Sequence, residues 1–355
     1  MAAEQLLRVL VVDDSAFNRR TISEIIETSG EAKVVGVARD GEEGIKKAFD
    51  TRPDLITLDL EMPQMDGFTF LRIIMKSLPT PILVISSRNE DKNVFKALEL
   101  GAIDFLVKPA NHLQSPELLR QEILGKLKVV RQLELRNVQR RLNRASPPAA
   151  EWAVASALAT EPLPKANAVF IGASTGGPSA LQSVIVALPQ NLDACILISQ
   201  HMPAGFTRAF AERLDRNSPL RIKEAEDGDL LEPGLVLVAP GGKNLLVRQK
   251  SDRAIAILAE RSEDDKFVPS VNALFNSGAA VFADRSLGVV LTGMGNDGAE
   301  GVRAIKQAGG QIVAESEKTS IVFGMPREAI NTNMVDEVLN LEDIPMAILR
   351  RCRAK

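Results

Sequence analysis

Short apolar runs alternate with amphipathic stretches over residues 7–109. The apolar runs are LRVLVV, KVVGVA, PDLITLDL, PILVIS and IDFLV. Each has the length and composition of a buried strand. Helical patterns begin between the runs, near Ser15, Gly41, Gly67 and Asn89. Five strands with intervening helices predict a doubly wound, five-stranded parallel sheet.

A longer amphipathic helix is predicted from about Pro116. Its apolar positions are Leu119, Ile123, Leu127 and Val130. The tail of this helix, up to Arg144, is basic, and ASPPAAEWAVASALATEPLPKA after it is typical of a linker. A basic helix can contact DNA or an acidic partner, but a solvated helix leading into a tether is the more ordinary interpretation. These signals predict a first domain over 1–125, a basic helix and linker over 126–165, and a second domain over 166–350.

The same alternation resumes at Ala168 and continues for most of the remaining chain. The strand-like runs are AVFIGAS, ACILIS, LVLV, KNLLV, AIAILA, GVVLTG and IVAES. The first helix after them has Leu181, Val184, Ile185 and Leu188 at helical spacing. LVLV and KNLLV, separated by APGG, are predicted to form an antiparallel hairpin. The expected fold is a second, larger α/β domain with a mostly parallel sheet and an antiparallel hairpin.

Composition favours an ordinary globular protein over a nucleic-acid-binding or membrane protein. Hydrophobic residues make up 45% of the chain, charged residues 25%, and the net charge is -3. No apolar stretch approaches membrane-spanning length, so we expect no direct membrane insertion. The apolar run near the start is too short for a signal peptide. Cys195 and Cys352 are far apart, so we expect reduced thiols in a cytoplasmic protein.

Polar residues follow the predicted strands of the first section. Asp13 and Asp14 end the first strand, Asp59 ends the third, Ser86 follows the fourth and Lys108 ends the fifth. Residues just past the carboxyl ends of parallel strands converge on one crevice. Three carboxylates in one crevice would repel one another unless a cation neutralised their charge. Mg²⁺, which prefers oxygen ligands, is the simplest candidate. A carboxylate nucleophile, a metal and a cation for phosphoryl oxygens are the parts needed to form an aspartyl phosphate.

This section resembles the receiver domain of two-component response regulators over its whole length. The motifs that carry the resemblance are VVDDS, LDLEMPQMDG, VISS and VKP. The resemblance implies that Asp59 is the phospho-acceptor, that the three carboxylates hold Mg²⁺, and that Ser86 and Lys108 contact the phosphoryl group. Phe105 lies where the family has its switch aromatic, although an ordinary core role also fits. A histidine kinase is the implied phosphodonor.

Three polar residues of the second section each follow an apolar run where it gives way to a turn. They are Ser174 after AVFIGA, His201 after ACILISQ and Asp297 after GVVLTGMGN. Brought to one edge of a parallel sheet, they would supply a nucleophile, its base and the residue that orients the base. The chain has two histidines. The other, His112, lies far upstream, so the predicted base is His201.

The glycine-rich turn around Ser174 has competing interpretations. GASTG fits the nucleophile elbow of α/β-hydrolases, but that fold places its histidine last in chain order and none follows His201. GASTGG could instead cradle a dinucleotide pyrophosphate, as in short-chain dehydrogenases. Those enzymes use a catalytic tyrosine, and this chain has no tyrosine. Nucleotide binding without that chemistry, and a packing role for the glycines, remain alternatives.

The second section resembles the catalytic domain of the chemotaxis protein-glutamate methylesterases over about 168–350. The matching motifs are GASTGGP, QHMP, APGG, PSVNALF, GMGNDGA and FGMPREAI. A receiver fused ahead of this domain is that family's architecture too. The resemblance implies that Ser174 is the nucleophile, His201 the base and Asp297 the residue that orients it.

Three further positions follow from the same resemblance. Met294 and Thr175 are implied as contributors around the oxyanion. At Asn272 the family pattern has Asp, and the departure weakens any role for that position while leaving the triad untouched.

The sequence therefore predicts a phosphorylation-regulated serine esterase. The resemblance implies hydrolysis of glutamate γ-methyl esters, and deamidation of glutamines, on the cytoplasmic helices of chemoreceptors, with no cofactor for the esterase reaction. Phosphorylation of Asp59 would relieve inhibition by the receiver domain. A DNA-binding response regulator is a rival, but its effector would be small, helical and basic. A second rival interpretation is a catalytically silent adaptor that only relays phosphorylation.

Overall fold

The computed structural model describes residues 6–86, 91–108, 116–131, 133, 166–262 and 265–352. The chain divides into two compact units, which adjoin in sequence at residues 144 and 145. The predicted basic tail beyond residue 133, the linker and His112 lie outside the described residues. The predicted domain limits at residues 125 and 165 therefore stay predictions.

A five-stranded parallel sheet forms the centre of the first unit. Its strands are β1 (Leu7–Val12), β2 (Ala32–Ala38), β3 (Leu55–Leu58), β4 (Ile82–Ser86) and β5 (Asp104–Val107). They lie in the order β2-β1-β3-β4-β5. Each predicted apolar run forms one of these strands, which confirms the sequence prediction of this sheet.

Helices alternate with the strands of the first unit. In its described part they are α1 (Ala16–Glu27), α2 (Gly41–Thr51), α3 (Gly67–Ser77), α4 (Asp91–Glu99) and α5 (Pro116–Val130). Ser15, Asp40 and Asp66 start the first three, because each side chain accepts a hydrogen bond from a first-turn amide. The predicted apolar side chains of α5 are buried, and this helix continues past residue 125.

The second unit contains a larger sheet of seven strands and a separate two-stranded one. The strands are β6 (Ala168–Ala173), β7 (Cys195–Gln200), β8 (Arg221–Glu224), β9 (Leu235–Val238), β10 (Lys243–Lys250), β11 (Arg253–Glu260), β12 (Ser286–Val290), β13 (Gln311–Glu315) and β14 (Glu337–Leu339). The large sheet has the order β14-β13-β12-β6-β7-β9-β8, with every neighbouring pair parallel. β10 and β11 form an antiparallel hairpin.

Helices also follow most strands of the second unit. In its described part they are α6 (Gly177–Val186), α7 (Phe206–Asn217), α8 (Val271–Phe282), α9 (Ala299–Gln307), α10 (Met325–Ile330) and α11 (Ile344–Cys352). None of the helices in the described ranges of the chain combines the length and the apolar character that a membrane span needs. A mostly parallel sheet with an antiparallel hairpin confirms the predicted fold class.

The hairpin is made of other strands than the sequence predicts. LVLV forms β9, which pairs in parallel with β7 and β8, while KNLLV belongs to β10 and pairs with β11. The reason is that β9 lies between β7 and β8, so both of its edges are already paired. Gly241 packs so closely on the segment after β7 that an added Cβ would lie 2.4 Å from the Ala204 nitrogen. The APGG loop after β9 is therefore packed on the segment after β7.

Two short strands are missing from the sequence prediction. β8 has the sequence RIKE and β14 has EVL, and both lie at the edges of the large sheet. Short, partly polar edge strands lack the apolar run that identifies a buried strand.

Helix α8 packs directly on β6 through small residues. An added Cβ on Gly278 would lie 2.4 Å from Phe170 Cζ, and one on Gly172 would lie 2.3 Å from a methyl group of Val271. The rings of Phe170 and Phe275 pack beside this contact, 6.5 Å apart and tilted. The close approach brings the start of α8 to the carboxyl end of β6.

The centre of the large sheet is a topological switch point. From β6 the chain proceeds to β7 on one side and later returns to β12 on the other. Ligands of open parallel sheets bind outside the strand ends at such a point. Ser174 follows β6, His201 follows β7, and Asp297 lies in the loop between β12 and α9. The three predicted residues therefore lie at one edge of three adjacent strands.

Candidate functional sites

Ser174 occupies a tight turn between β6 and α6. Its amide donates to the Thr292 carbonyl at 3.0 Å, and its carbonyl accepts a 2.7 Å hydrogen bond from the Gly177 amide. Gly176 has a φ of 75°, a left-handed conformation that favours glycine. Helix α6 begins here without a side-chain cap. The half-buried serine thus lies at the positive end of a helix.

His201 and Asp297 form a hydrogen-bonded pair. Nε2 of the imidazole lies 2.8 Å from Oδ2 of Asp297, although the residues are 96 positions apart. The His201 amide donates to the carbonyl of Ala173, the residue before Ser174, at 3.1 Å. Within the described part of the chain, the Ser174 hydroxyl is not hydrogen-bonded to the His201 imidazole. Such catalytic contacts often tighten only when substrate is bound.

The carboxylate of Asp297 is buried at the start of helix α8. Oδ2 also accepts a hydrogen bond from the Val271 amide at 2.7 Å, and Oδ1 accepts one from the Asn272 amide at 2.9 Å and one from the Ser270 hydroxyl at 3.2 Å. Burial raises the pKa of Asp297. The hydrogen bond and the charge of His201, together with the Val271 and Asn272 amides, outweigh this effect and hold the pKa below its usual value. Asp297 is therefore an ionised acceptor with a fixed orientation.

Asn272 supports the loop that carries Asp297. Its Oδ1 accepts hydrogen bonds from the Gly298 and Gly301 amides, both at 2.9 Å. These amides belong to the start of α9, whose N-cap residue, Gly298, offers no side chain of its own. The position that departs from the family pattern thus has a structural role, because an amide oxygen serves as the helix cap.

The predicted oxyanion residues lie beside Ser174. Thr175 is buried, and its carbonyl accepts a 3.0 Å hydrogen bond from the Thr292 hydroxyl. Met294 follows Gly293, where an added Cβ would lie 2.8 Å from the Ser174 Cβ. The loop after β12 therefore passes directly against the candidate nucleophile.

The first unit gathers its predicted polar residues at the ends of β1, β3 and β5. Asp13, Asp14 and Asp59 each offer an oxygen, and these atoms lie within 4.8 Å of one another. Lys108 Nζ contacts Asp59 Oδ2 directly and lies 3.4 Å from Asp13 Oδ2. Three carboxylate oxygens at this spacing fit a hard divalent cation such as Mg²⁺.

Burial controls the ionisation of this pocket. It raises the pKa of Asp59 to about 6, with a further increase from the charge of Asp13, although Lys108 acts in the opposite direction. Burial tends to lower the pKa of Lys108, but Asp59 and Asp13 raise it overall. The pocket thus carries negative charge that a single lysine does not neutralise.

Ser86 and Phe105 lie on the two neighbouring strands. Ser86 is buried at the end of β4, and its carbonyl accepts the Lys108 amide at 2.7 Å. Phe105 is buried in β5. The predicted phosphate contact and the predicted switch residue are therefore both buried, on β4 and β5.

Sequence models of two families match the chain. The model of CheB methylesterase matches residues 169–348, and that of the response regulator receiver domain matches residues 9–120. The chain belongs to the CheB methylesterase family. It is thus a hydrolase of the methylesterase class that carries a receiver domain.

Similar proteins extend over the whole chain. A relative from Geobacter sulfurreducens, named protein-glutamate methylesterase/protein-glutamine glutaminase 3, is 49% identical over 98% of this chain and 97% of its own. The corresponding protein 1 from Myxococcus xanthus is 48% identical over 100% of both. The crystal structure of the Thermotoga maritima CheB methylesterase catalytic domain is 38% identical, with a TM-score of 0.51, and covers 52% of this chain and 98% of that chain.

Gln200, which the sequence does not single out, links the loops that carry Ser174 and His201. Its Nε2 donates to the carbonyls of both Ser174 and His201, each at 3.0 Å. These two acceptors also settle the orientation of the amide group, because a reversed amide would point its oxygen at both carbonyls. The only sequence signal is its position beside His201 in QHMP.

Phe267 is a second residue near His201 that the sequence does not single out. Its ring lies flat on the His201 imidazole, with centroids 4.7 Å apart and planes 3° apart. The segment before α8 has no periodic pattern, so nothing in the sequence indicates this contact.

Proposed function

We propose that Ser174, His201 and Asp297 form the triad of a serine esterase that hydrolyses glutamate γ-methyl esters and deamidates glutamines on chemoreceptor cytoplasmic helices. The observation that carries the proposal is the 2.8 Å pair between His201 and Asp297 at the same sheet edge as Ser174. The relatives' shared name, protein-glutamate methylesterase/protein-glutamine glutaminase, supports the choice of substrate.

The pairing of His201 indicates which of its nitrogens acts as the base. Asp297 is ionised at neutral pH, because its pKa lies below the usual value, and it accepts the hydrogen of Nε2. A neutral imidazole that donates through Nε2 has its lone pair on Nδ1. In the proposed reaction, Nδ1 therefore takes the proton of Ser174.

Acylation follows from this proton transfer. Ser174 Oγ bonds to the carbonyl carbon of the ester while Nδ1 of His201 takes its proton. Candidate donors for the resulting oxyanion are the amides at the start of α6 and in the loop containing Met294. The carbon–methoxy bond then breaks, and His201 returns the proton to the methoxy oxygen. Methanol leaves, and the glutamyl group stays on Ser174 as an ester.

Hydrolysis of this ester uses the same base. His201 takes a proton from water, the water oxygen bonds to the acyl carbon, and Ser174 leaves with the proton. The product is a glutamate carboxylate. With a glutamine side chain, the same steps release ammonia in place of methanol. One site thus supports both activities in the relatives' name.

The receiver domain is proposed to accept a phosphoryl group on Asp59 from a histidine kinase. Lys108 already contacts this carboxylate, so its ammonium is placed to pair with phosphoryl oxygens, and Ser86 supplies a nearby hydroxyl. Asp13, Asp14 and Asp59 would hold Mg²⁺. When bound, the ion would offset the negative charge of the carboxylates and the phosphoryl group.

Phosphorylation is proposed to relieve an inhibition of the Ser174 site by the receiver domain. Support comes from the presence of both domains in one chain. A tether gives an effective concentration of roughly millimolar, at which even a weak inhibitory contact forms. Phe105, buried in β5 three residues before Lys108, is the proposed residue whose packing responds to Asp59. We propose the cytoplasm as the setting of these events, and the resemblance to chemotaxis enzymes supports it.

Methanol release tests the proposed activity. The substrate is a chemoreceptor cytoplasmic fragment bearing glutamate γ-methyl esters, and the enzyme is the full chain with Mg²⁺ and a small-molecule phosphodonor. We expect release by the native protein and loss of several orders of magnitude in Ser174→Ala. Equal release by both would refute the assignment of Ser174. The seven-stranded sheet gives no support to a DNA-binding effector, which would be small and helical.

A further inference from the structure

Phe267 is half-exposed, yet its position on the imidazole is well defined. It is 36% exposed, and its ring is almost parallel to that of His201. It also approaches the loop after β12, where an added Cβ on Gly295 would lie 3.5 Å from Phe267 Cζ. The ring therefore covers one face of His201 beside the loop that precedes Asp297.

A buried side chain holds the segment that carries Phe267. Asn244 on β10 donates from Nδ2 to Asp265 Oδ2 at 2.9 Å, and its Oδ1 accepts a hydrogen bond from the Ser270 amide at 2.8 Å. These partners lie two residues before and three residues after Phe267, and Asn244 is 4% exposed. One amide side chain thus fixes both ends of the segment. These two hydrogen bonds of Asn244 hold the segment in place, although the Phe267 ring itself is partly exposed.

We propose that Phe267 is a positioning residue for His201. Its ring face holds the imidazole in the plane that directs Nε2 to Asp297 and Nδ1 to Ser174, and it stabilises the imidazolium formed when Ser174 loses its proton. This inference rests on the proposed function, because an imidazolium arises only if His201 is the base.

The physical basis is the electrostatics of an aromatic face. A cation within about 6 Å of a ring centroid is attracted by the ring's negative face, and the effect grows as water is excluded. The 4.7 Å separation lies within that range. The interaction is stronger for the imidazolium than for the neutral imidazole, so it favours the transition state more than the ground state.

Kinetics of three variants of the full chain test the proposal, with the substrate and phosphodonor given above. Phe267→Leu keeps an apolar side chain but removes the aromatic face, so we expect kcat to fall about tenfold with KM unchanged. Phe267→Tyr keeps the face and should restore kcat to within about twofold. Phe49→Leu is the control, because Phe49 is similarly exposed, at 38%, and belongs to the first unit. It should leave kcat unchanged.

A spectroscopic measurement tests the stacking independently of activity. The chain has two histidines, and a His112→Gln variant assigns the imidazole proton signals of His201. Stacking under an aromatic face shifts these signals upfield, and Phe267→Leu should remove that shift while Phe267→Tyr keeps it. No change in Phe267→Leu would show that the stacking is absent, which overturns the proposal.

The kinetic outcomes separate this inference from the proposed function. An unchanged kcat in Phe267→Leu, with native activity that still depends on Ser174, overturns the inference alone. A raised KM with unchanged kcat also overturns it, since Phe267 would then contact substrate and not act through His201. Methanol release that does not depend on Ser174 overturns the proposed function, whatever the state of the stacking.

Discussion

Asp297 and Asn272 cap each other's helices. The carboxylate of Asp297, in the loop before α9, accepts the Asn272 amide at the start of α8, and the side chain of Asn272 accepts two amides at the start of α9. This reciprocal arrangement satisfies amides that a helix leaves unpaired at its start. It also fixes the carboxylate that orients His201, so the geometry of the candidate triad depends on a contact between two helices.

Two substitutions of Asn272 test this role. Asn272→Ala removes the acceptor for two amides, so we expect the free energy of unfolding to fall by about 1–2 kcal/mol and methanol release to fall with it. Asn272→Asp keeps an acceptor oxygen, and a helix start favours negative charge, so both quantities should stay close to native. Denaturant unfolding and the methanol assay measure them. The capping account fails if the Asp variant is damaged as much as the Ala variant.

Gln200 is expected to contribute to both stability and kcat, because it links the loops that carry Ser174 and His201. Gln200→Glu would place a buried carboxylate against the carbonyls of Ser174 and His201, where two donated hydrogen bonds are now found. We expect a loss of stability of about 2–4 kcal/mol and a reduced kcat. The matched control is Gln249→Glu, which changes an exposed glutamine and should alter neither. Similar unfolding curves for the two variants would contradict this expectation.

The raised pKa of Asp59 predicts that the proposed binding of Mg²⁺ to the receiver depends on pH. The folded carboxyl has a pKa of about 6, raised from 3.8, so it stays protonated in the folded protein between these values while the unfolded chain ionises. Without metal, stability should therefore fall as pH rises through this window. Above pH 6 the carboxylate is ionised, and if it holds Mg²⁺ as proposed, the ion should stabilise the fold by mass action.

Thermal unfolding with and without millimolar Mg²⁺ measures this effect. We expect the increase in Tm on adding Mg²⁺ to be larger at pH 7.5 than at pH 5, and to be lost in Asp14→Asn, which removes an exposed ligand without disturbing the core. A response to Mg²⁺ that is equal at both pH values would argue against Asp59 as a ligand.

The proposed inhibition predicts the behaviour of a fragment. Residues 150–355 include the match to the methylesterase family but omit the receiver. Because the fragment lacks the inhibitory partner, we expect its methanol release to exceed that of the unphosphorylated full chain. A fragment no faster than the intact, unphosphorylated protein would show that the receiver does not inhibit. Circular dichroism of the fragment is the control for folding.

The positions of the candidate site residues could be predicted because they follow strands that are apolar along their length. The runs before Asp59 and Ser174 are buried at every position, so periodicity and the turn residues after them mark the strand ends. The parallel order of the strands then brings those ends together. The sequence identifies strands whose runs are buried along their length, but not the polar edge strands β8 and β14.

Other features of the site could not be predicted, because they depend on contacts between distant segments. The stacking of Phe267 on His201 requires Asn244, on another strand, to hold the segment. The hairpin was assigned to the wrong strands because the pairing of both edges of β9, with β7 and β8, has no local signal. The choice of Nε2 of His201 as the nitrogen that pairs with Asp297 likewise depends on three-dimensional placement.

The most direct measurement compares kcat for methanol release in Ser174→Ala, His201→Gln and the double variant, with Ser183→Ala as a folded serine control. If the hydroxyl and the imidazole act as one unit, removing the second after the first costs nothing more, and the three rates are equal within about twofold. Rate losses that multiply in the double variant would mean that the two groups contribute separately, and the proposed triad would be wrong.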